Sequence, residues 1–143
     1  MMIGIPGSGK STYAEKIARL ENAVVISSDK LREELFGDVW ELRKNTILFA
    51  EVYRRALKYL SEGKNVVLDA TNISRRKRKH VLNKLKPYYK ECYFIKTPLN
   101  KVLYQNRKRD RNVPEDVIFR IYNKLQEPDY SEGWDKINII RNT

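Results

Sequence analysis

The segment Gly4-Ile5-Pro6-Gly7-Ser8-Gly9-Lys10-Ser11 fits G-x-x-x-x-G-K-[ST] at every fixed position. Residues of these types at this spacing bind phosphate. Glycines leave room for backbone N–H groups to curl around an anion, where a Cβ would intrude. Gly7, Ser8 and Gly9 supply that cradle. Lys10 is placed to reach the outer phosphates of ATP, Ser11 to ligate Mg2+, and Thr12 to bond a phosphate oxygen. A helix starting here turns its positive end toward the same anion.

A phosphate loop does not say where a phosphoryl group goes. Val24-Val25-Ile26-Ser27-Ser28-Asp29 places a carboxylate just past an apolar run, and Arg32 follows three residues later, on the same face of a helix. Asp29 can orient an attacking hydroxyl and accept its proton. The transition state is loose, so a weak base suffices. Arg32 can hold a phosphate of the acceptor or steady the moving phosphoryl group. The plainer reading is that Asp29 caps the helix toward Glu33 and Arg32 is solvated. Val66-Val67-Leu68-Asp69 is a second apolar run ending in a carboxylate. Asp69 can hold a Mg2+-bound water or the Lys10 ammonium. Thr71 and Asn72 can bond acceptor or phosphate oxygens. Arg107-Lys108-Arg109 with Arg111 forms a cationic hinge between two helical patterns. It can neutralise charge on a transferring phosphoryl group, or it is a solvated basic loop.

These groups need elements to hold them. Apolar and β-branched runs predict strands at Met1–Ile5, Ala23–Ser27, Asn65–Ala70, within Tyr88–Thr97, and at Lys136–Ile140. Helical spacing predicts Ser11–Leu20, a short helix from Asp29, and a long one from Trp40 to Ser61. The long helix presents Leu42, Phe49, Val52, Tyr53, Ala56, Leu57 and Leu60, and Gly63 ends it. Ser74 caps a basic helix with Val81, Leu82 and Leu85 inward, and Pro98 and Pro114 open two more. Alternating strands and helices predict an α/β fold of three layers, a mainly parallel central sheet with helices on both faces. Ligands of such sheets sit beyond the carboxyl ends of the strands, where the candidate residues fall.

The 143 residues fit one domain, with 98–127 as an arginine-bearing helical lid. A single cysteine, Cys92, makes no internal bridge and reads as a buried strand residue in a reducing, cytoplasmic setting. No apolar run approaches a membrane span, and the apolar start leads into the glycine loop rather than a signal sequence. Lys plus Arg number 29 against 18 Asp plus Glu, a net charge of +11. That excess favours a polyanionic partner, or else a charge-rich surface. Part of it is the block Arg75-Arg76-Lys77-Arg78-Lys79-His80.

Gly4–Thr12, Ser28-Asp29-Lys30-Leu31-Arg32, Leu68-Asp69-Ala70-Thr71-Asn72 and Arg109-Asp110-Arg111-Asn112-Val113-Pro114-Glu115 occur in this order. Together they resemble the polynucleotide 5′-hydroxyl kinase family, the P-loop kinase domains of phage and bacterial end-healing enzymes. The resemblance runs on to Glu127-Pro128 and Glu132-Gly133-Trp134-Asp135. It implies that Lys10 and Ser11 serve ATP and Mg2+ and that Asp29 is the base on a polynucleotide 5′-OH. It implies that Arg32 contacts the acceptor phosphate and the γ-phosphoryl, and that Asp69 supports the site. One lid arginine engages ATP. The family shows two arginines four apart; this chain offers Gln105 and Arg109 at one register and Arg107 and Arg111 at another, with Arg109 and Arg111 as the ATP contacts and Arg109 preceding Val-Pro-Glu at the family distance. The implied partners are RNA or DNA 5′ ends, bound by Arg75, Arg76 and their neighbours, with ligase or phosphatase activity on other chains. Kinases of aminoacyl-tRNA, a nucleoside or a small alcohol share these motifs. A nucleotide-dependent RNA-binding switch would need no acceptor base such as Asp29.

Overall fold

Apolar β-branched runs form the strands and capped amphipathic runs form the helices, in the predicted order. They are β1 (Met2–Ile3), α1 (Lys10–Glu21), β2 (Ala23–Ser27), α2 (Ser28–Phe36), α3 (Asn45–Ser61), β3 (Asn65–Asp69), α4 (Arg75–Lys84), β4 (Glu91–Lys96), α5 (Leu99–Arg107), α6 (Glu115–Lys124) and β5 (Lys136–Arg141). The computed structural model describes residues 1–37, 44–110 and 112–143; the expectations placed on Trp40, Leu42 and Arg111 lie outside them. Every described strand pair is parallel: β1 beside β4 beside β5, and β2 beside β3. No helix among the described residues is long and apolar enough to cross a membrane.

The chain divides into two compact units, Met1–Thr12 with Thr71–Thr143, and Tyr13–Ala70. In the second unit, β2 and β3 pair from Ala23↔Asn65 to Ser27↔Asp69. Ser27 caps α2 by accepting from the Lys30 N–H, and Gly37 closes it with its own N–H on the Glu33 carbonyl. Asp29 is therefore not the cap; it lies in the first turn, where a negative charge complements the helix dipole. The buried ridge of α3 is Leu48, Val52 and Ala56, at i, i+4 and i+8. Leu57, expected on that face, stays 36% exposed because it sits at the ridge's edge.

Two apolar clusters are seen among the described residues of the first unit. Ile3, Leu82, Cys92, Phe94 and Trp134 form one. Ile5, Val102, Val113 and Ile118 form the other. Cys92 is the buried strand residue its surroundings predict, and burial pushes its thiol up to about 11, so it is inert at neutral pH. Tyr89 is exposed just before β4.

The basic block on α4 is not uniformly a solvent face. Ser74 caps the helix through the Lys77 N–H as expected, and Val81 and Leu82 face inward. Helical spacing puts Arg78 on that same inner face, and it is 1% exposed. Its guanidinium meets the buried carboxylate of Glu132 at 2.6 and 3.1 Å. It also donates to the carbonyls of Asn72 at 2.7 Å and Gln126 at 2.8 Å. A buried charge needs such partners, and removing one member of such a pair costs about 3–5 kcal/mol.

Candidate active site

Within the first unit, the chain leaves β1, turns through the glycines and enters α1 at Lys10. Gly7 has φ +85°, and a Cβ there would meet the Val102 carbonyl at 2.8 Å, so the loop lies directly on α5. The Ser8 carbonyl is held by two donors, the Thr97 hydroxyl at 2.9 Å and the Asn142 amide at 3.0 Å. Lys101 in turn donates to Asn142 Oδ1 at 2.9 Å. Pinning this carbonyl orients the peptide between Ser8 and Gly9. The first turn of α1 carries no acidic residue, and Ser11 and Thr12 are exposed there. The arrangement suits an anion at a helix N-terminus. Sequence reasoning missed Thr97, Asn142 and Lys101. The one signal available was that Thr97 sits at the carboxyl end of a parallel strand.

Thr71, Asn72 and Arg75, expected as substrate contacts, each bond to their own chain. The Thr71 carbonyl accepts from Gly4 N–H at 3.0 Å. Asn72 adopts φ +49° and donates its side-chain amide to the Met2 carbonyl at 2.7 Å. Arg75 Nε donates to the Glu127 carbonyl at 2.8 Å. These bonds hold a turn beside the phosphate loop. Arg76 remains on the exposed face of α4 with Lys77 and Lys79.

The hinge between α5 and α6 is tied at its base. Asn106, 1% exposed, donates to the Val113 carbonyl and accepts from the Val113 N–H, both at 2.8 Å. One side chain thus closes the loop that carries the arginines. Arg107 donates to Glu115 at 2.7 Å. Gln105 buries its carbonyl oxygen inward, away from the role of a lid cation. Among the described residues no ion pair holds the exposed Arg109.

In the second unit, the ladder register sets Ser27 opposite Asp69 at the carboxyl ends of β2 and β3. Asp69 is 6% exposed. One turn of α2 brings Arg32 Nη1 to 3.1 Å from Asp29 Oδ1, the carboxylate being 59% exposed and the arginine side chain 7%. Arg32 Nη2 donates to Asn45 Oδ1 at 3.0 Å. The guanidinium is aimed by two elements, while the carboxylate beside it faces solvent. An exposed carboxylate steadied by a cation can accept a proton from an incoming hydroxyl.

Among the described residues no cluster of three or more His, Cys, Asp or Glu side chains forms.

The family model described as an AAA domain matches residues 1–128. The L-seryl-tRNA(Sec) kinase of Methanococcus maripaludis is 28% identical over all of this chain and 58% of its own length. A protein of Acanthamoeba polyphaga mimivirus described as a bifunctional polynucleotide phosphatase/kinase is 28% identical over 98% of this chain and 32% of its own. The chain thus spans between a third and three-fifths of these relatives. A chain of the Pnkp1/Rnl/Hen1 RNA repair complex superposes with a TM-score of 0.71 and 26% identity, covering 87% of this chain and 42% of that one. These matches bear out the resemblance to polynucleotide kinases and the α/β P-loop kinase fold.

Proposed function

The chain belongs to the AAA domain family, and from that premise we propose that it transfers the γ-phosphoryl of ATP to the 5′-hydroxyl end of a polynucleotide. The observation that carries this reading is the exposed Asp29 carboxylate 3.1 Å from the buried Arg32 guanidinium, on a chain that also holds a complete phosphate loop. A switch that only hydrolyses ATP has no use for that pair.

In the proposed reaction the 5′-oxygen forms a bond to the γ-phosphorus, the bond from that phosphorus to ADP breaks, and the hydroxyl proton passes to Asp29. Arg32 steadies the acceptor and the phosphoryl group. Lys10 and the loop amides hold the triphosphate, with Ser11 and Thr12 adding hydroxyls. The Ser11 hydroxyl would hold a Mg2+ carried by the phosphates, and Asp69 would support the site; the metal would supply charge neutralisation on the phosphates. Arg109 acts as the lid cation. Arg76, Lys77 and Lys79 hold the strand's phosphates without reading its sequence. RNA and DNA ends both suit this chemistry. A cytoplasmic setting and separate ligase or phosphatase proteins complete the proposal.

The test pairs γ-labelled ATP and Mg2+ with matched oligonucleotides bearing a 5′-OH or a 5′-phosphate. Label is expected on the 5′-OH strand alone, and Asp29→Ala is expected to lower the rate by about 10²–10⁴-fold. A second reading follows from the whole-chain match to a seryl-tRNA kinase. Label on seryl-tRNA and on neither oligonucleotide would transfer the same chemistry to the seryl hydroxyl.

A further inference from the structure

We propose that Arg78 and Glu132 are positioning residues that lock the Thr71-Asn72 turn and, through it, the entry of the phosphate loop. Asn72 is a non-glycine residue in the left-handed region, φ +49°, which asparagine tolerates better than most side chains. It is held twice. Its carbonyl accepts from Arg78 Nη1 at 2.7 Å, and its side-chain amide donates to the Met2 carbonyl at 2.7 Å. One residue earlier, the Thr71 carbonyl accepts from the N–H of Gly4, the first residue of the phosphate loop, at 3.0 Å. A change in the turn therefore moves the acceptor of a phosphate-loop amide.

Arg78 can hold the turn because its other donors are anchored. Glu132 takes Nε and Nη2, and the Gln126 carbonyl also accepts from Nη2. Glu132 is itself fixed, accepting from the Asp129 N–H at 2.7 Å and lying 3.4 Å from the Trp134 indole nitrogen. A lysine at 78 would keep the charge but not the fork that reaches Glu132, Gln126 and Asn72 together.

A pair that only stabilises could be exchanged for apolar side chains without loss, since buried ion pairs often tolerate this. The exchange would still delete the bond to the Asn72 carbonyl. The decisive protein is the double variant Arg78→Met with Glu132→Leu, which leaves no unpaired buried charge. Expected are a folded protein with a lowered urea midpoint, since the Asn72 and Gln126 carbonyls and the Asp129 N–H lose their partners, a kcat lower by about tenfold or more, and a KM for ATP changed by less than about threefold. Hydrogen exchange at the Gly4 amide should quicken by about tenfold while the Cys92 and Phe94 amides keep their rates. If the double variant does not fold, Arg78→Lys is measured by the same readouts per folded molecule. A folded variant that keeps either the wild-type kcat or the wild-type Gly4 exchange rate overturns the proposal. The kcat arm rests on the kinase reading. If the wild type phosphorylates no acceptor, that reading fails by itself, and exchange at Gly4 still decides the positioning role.

Discussion

Gly7 shows how much of the phosphate site is decided at one position. Its φ of +85° disfavours any L side chain, and the Val102 carbonyl occupies the place a Cβ would take, at 2.8 Å. Gly63 makes the natural control, with φ +81° and nothing within 4 Å. Both Ala substitutions impose backbone strain of about 1–2 kcal/mol. Gly7→Ala adds a collision with backbone, which does not yield as a side-chain tip would. The expected outcome is a total loss of about 2–4 kcal/mol by urea unfolding for Gly7→Ala, against about 1 kcal/mol for Gly63→Ala. A nucleotide titration should show weakened ATP binding for Gly7→Ala alone. The need for glycine was legible in the motif; the neighbour that enforces it, α5, was not.

At the scale of elements, the caps and the helix order followed from local chemistry. Ser27 and Ser74 each accept the N–H three residues on, and Gly37 and Gly63 end their helices in left-handed geometry. The loop from α5 to α6 is held differently, by two hydrogen bonds from one buried asparagine. Asn106→Ala leaves the N–H and the carbonyl of Val113 without those partners. Each such group costs about 1–3 kcal/mol when it stays buried, so a loss near the low end of their sum is expected in urea unfolding. Because the loop carries Arg109, kcat should fall more than the affinity for ATP. Equal kcat in Asn106→Ala would show that Arg109 does not depend on this closure. Sequence reading saw the cationic hinge but not its lock, since an asparagine in a last helical turn has no spacing that announces its partner.

Across the whole molecule the net charge of +11 is distributed in two ways. On α3, Arg54 and Arg55 are matched by Glu51 and Glu34. Glu51 is held down at about 2 by these arginines, so the matching persists well into acid. On α4 there is no acidic residue, and Arg76, Lys77 and Lys79 lie exposed. If that face holds a strand, binding of a 5′-OH oligonucleotide should weaken linearly in log salt. Replacing the three residues by alanine should then reduce the slope by about 2, at roughly 0.7 per phosphate contact. An unchanged slope would mark α4 as a solvated face. The contrast with Arg78, in the same run of six, separates what the two levels decide. The sequence alone determined the phosphate loop, the alternation of parallel strands and helices, the Ser74 cap, the Gly63 stop and the Asp29–Arg32 spacing. All of these are written in residue types a few positions apart, and local backbone chemistry enforces them. Only the tertiary structure decided that Arg78 belongs to Glu132, 54 residues on, and that Asn142 holds the Ser8 carbonyl across 134. It also engaged Asn72 and Arg75 with the chain's own backbone. A buried polar group must find a partner wherever folding places one, and no periodicity in the sequence records which partner that is.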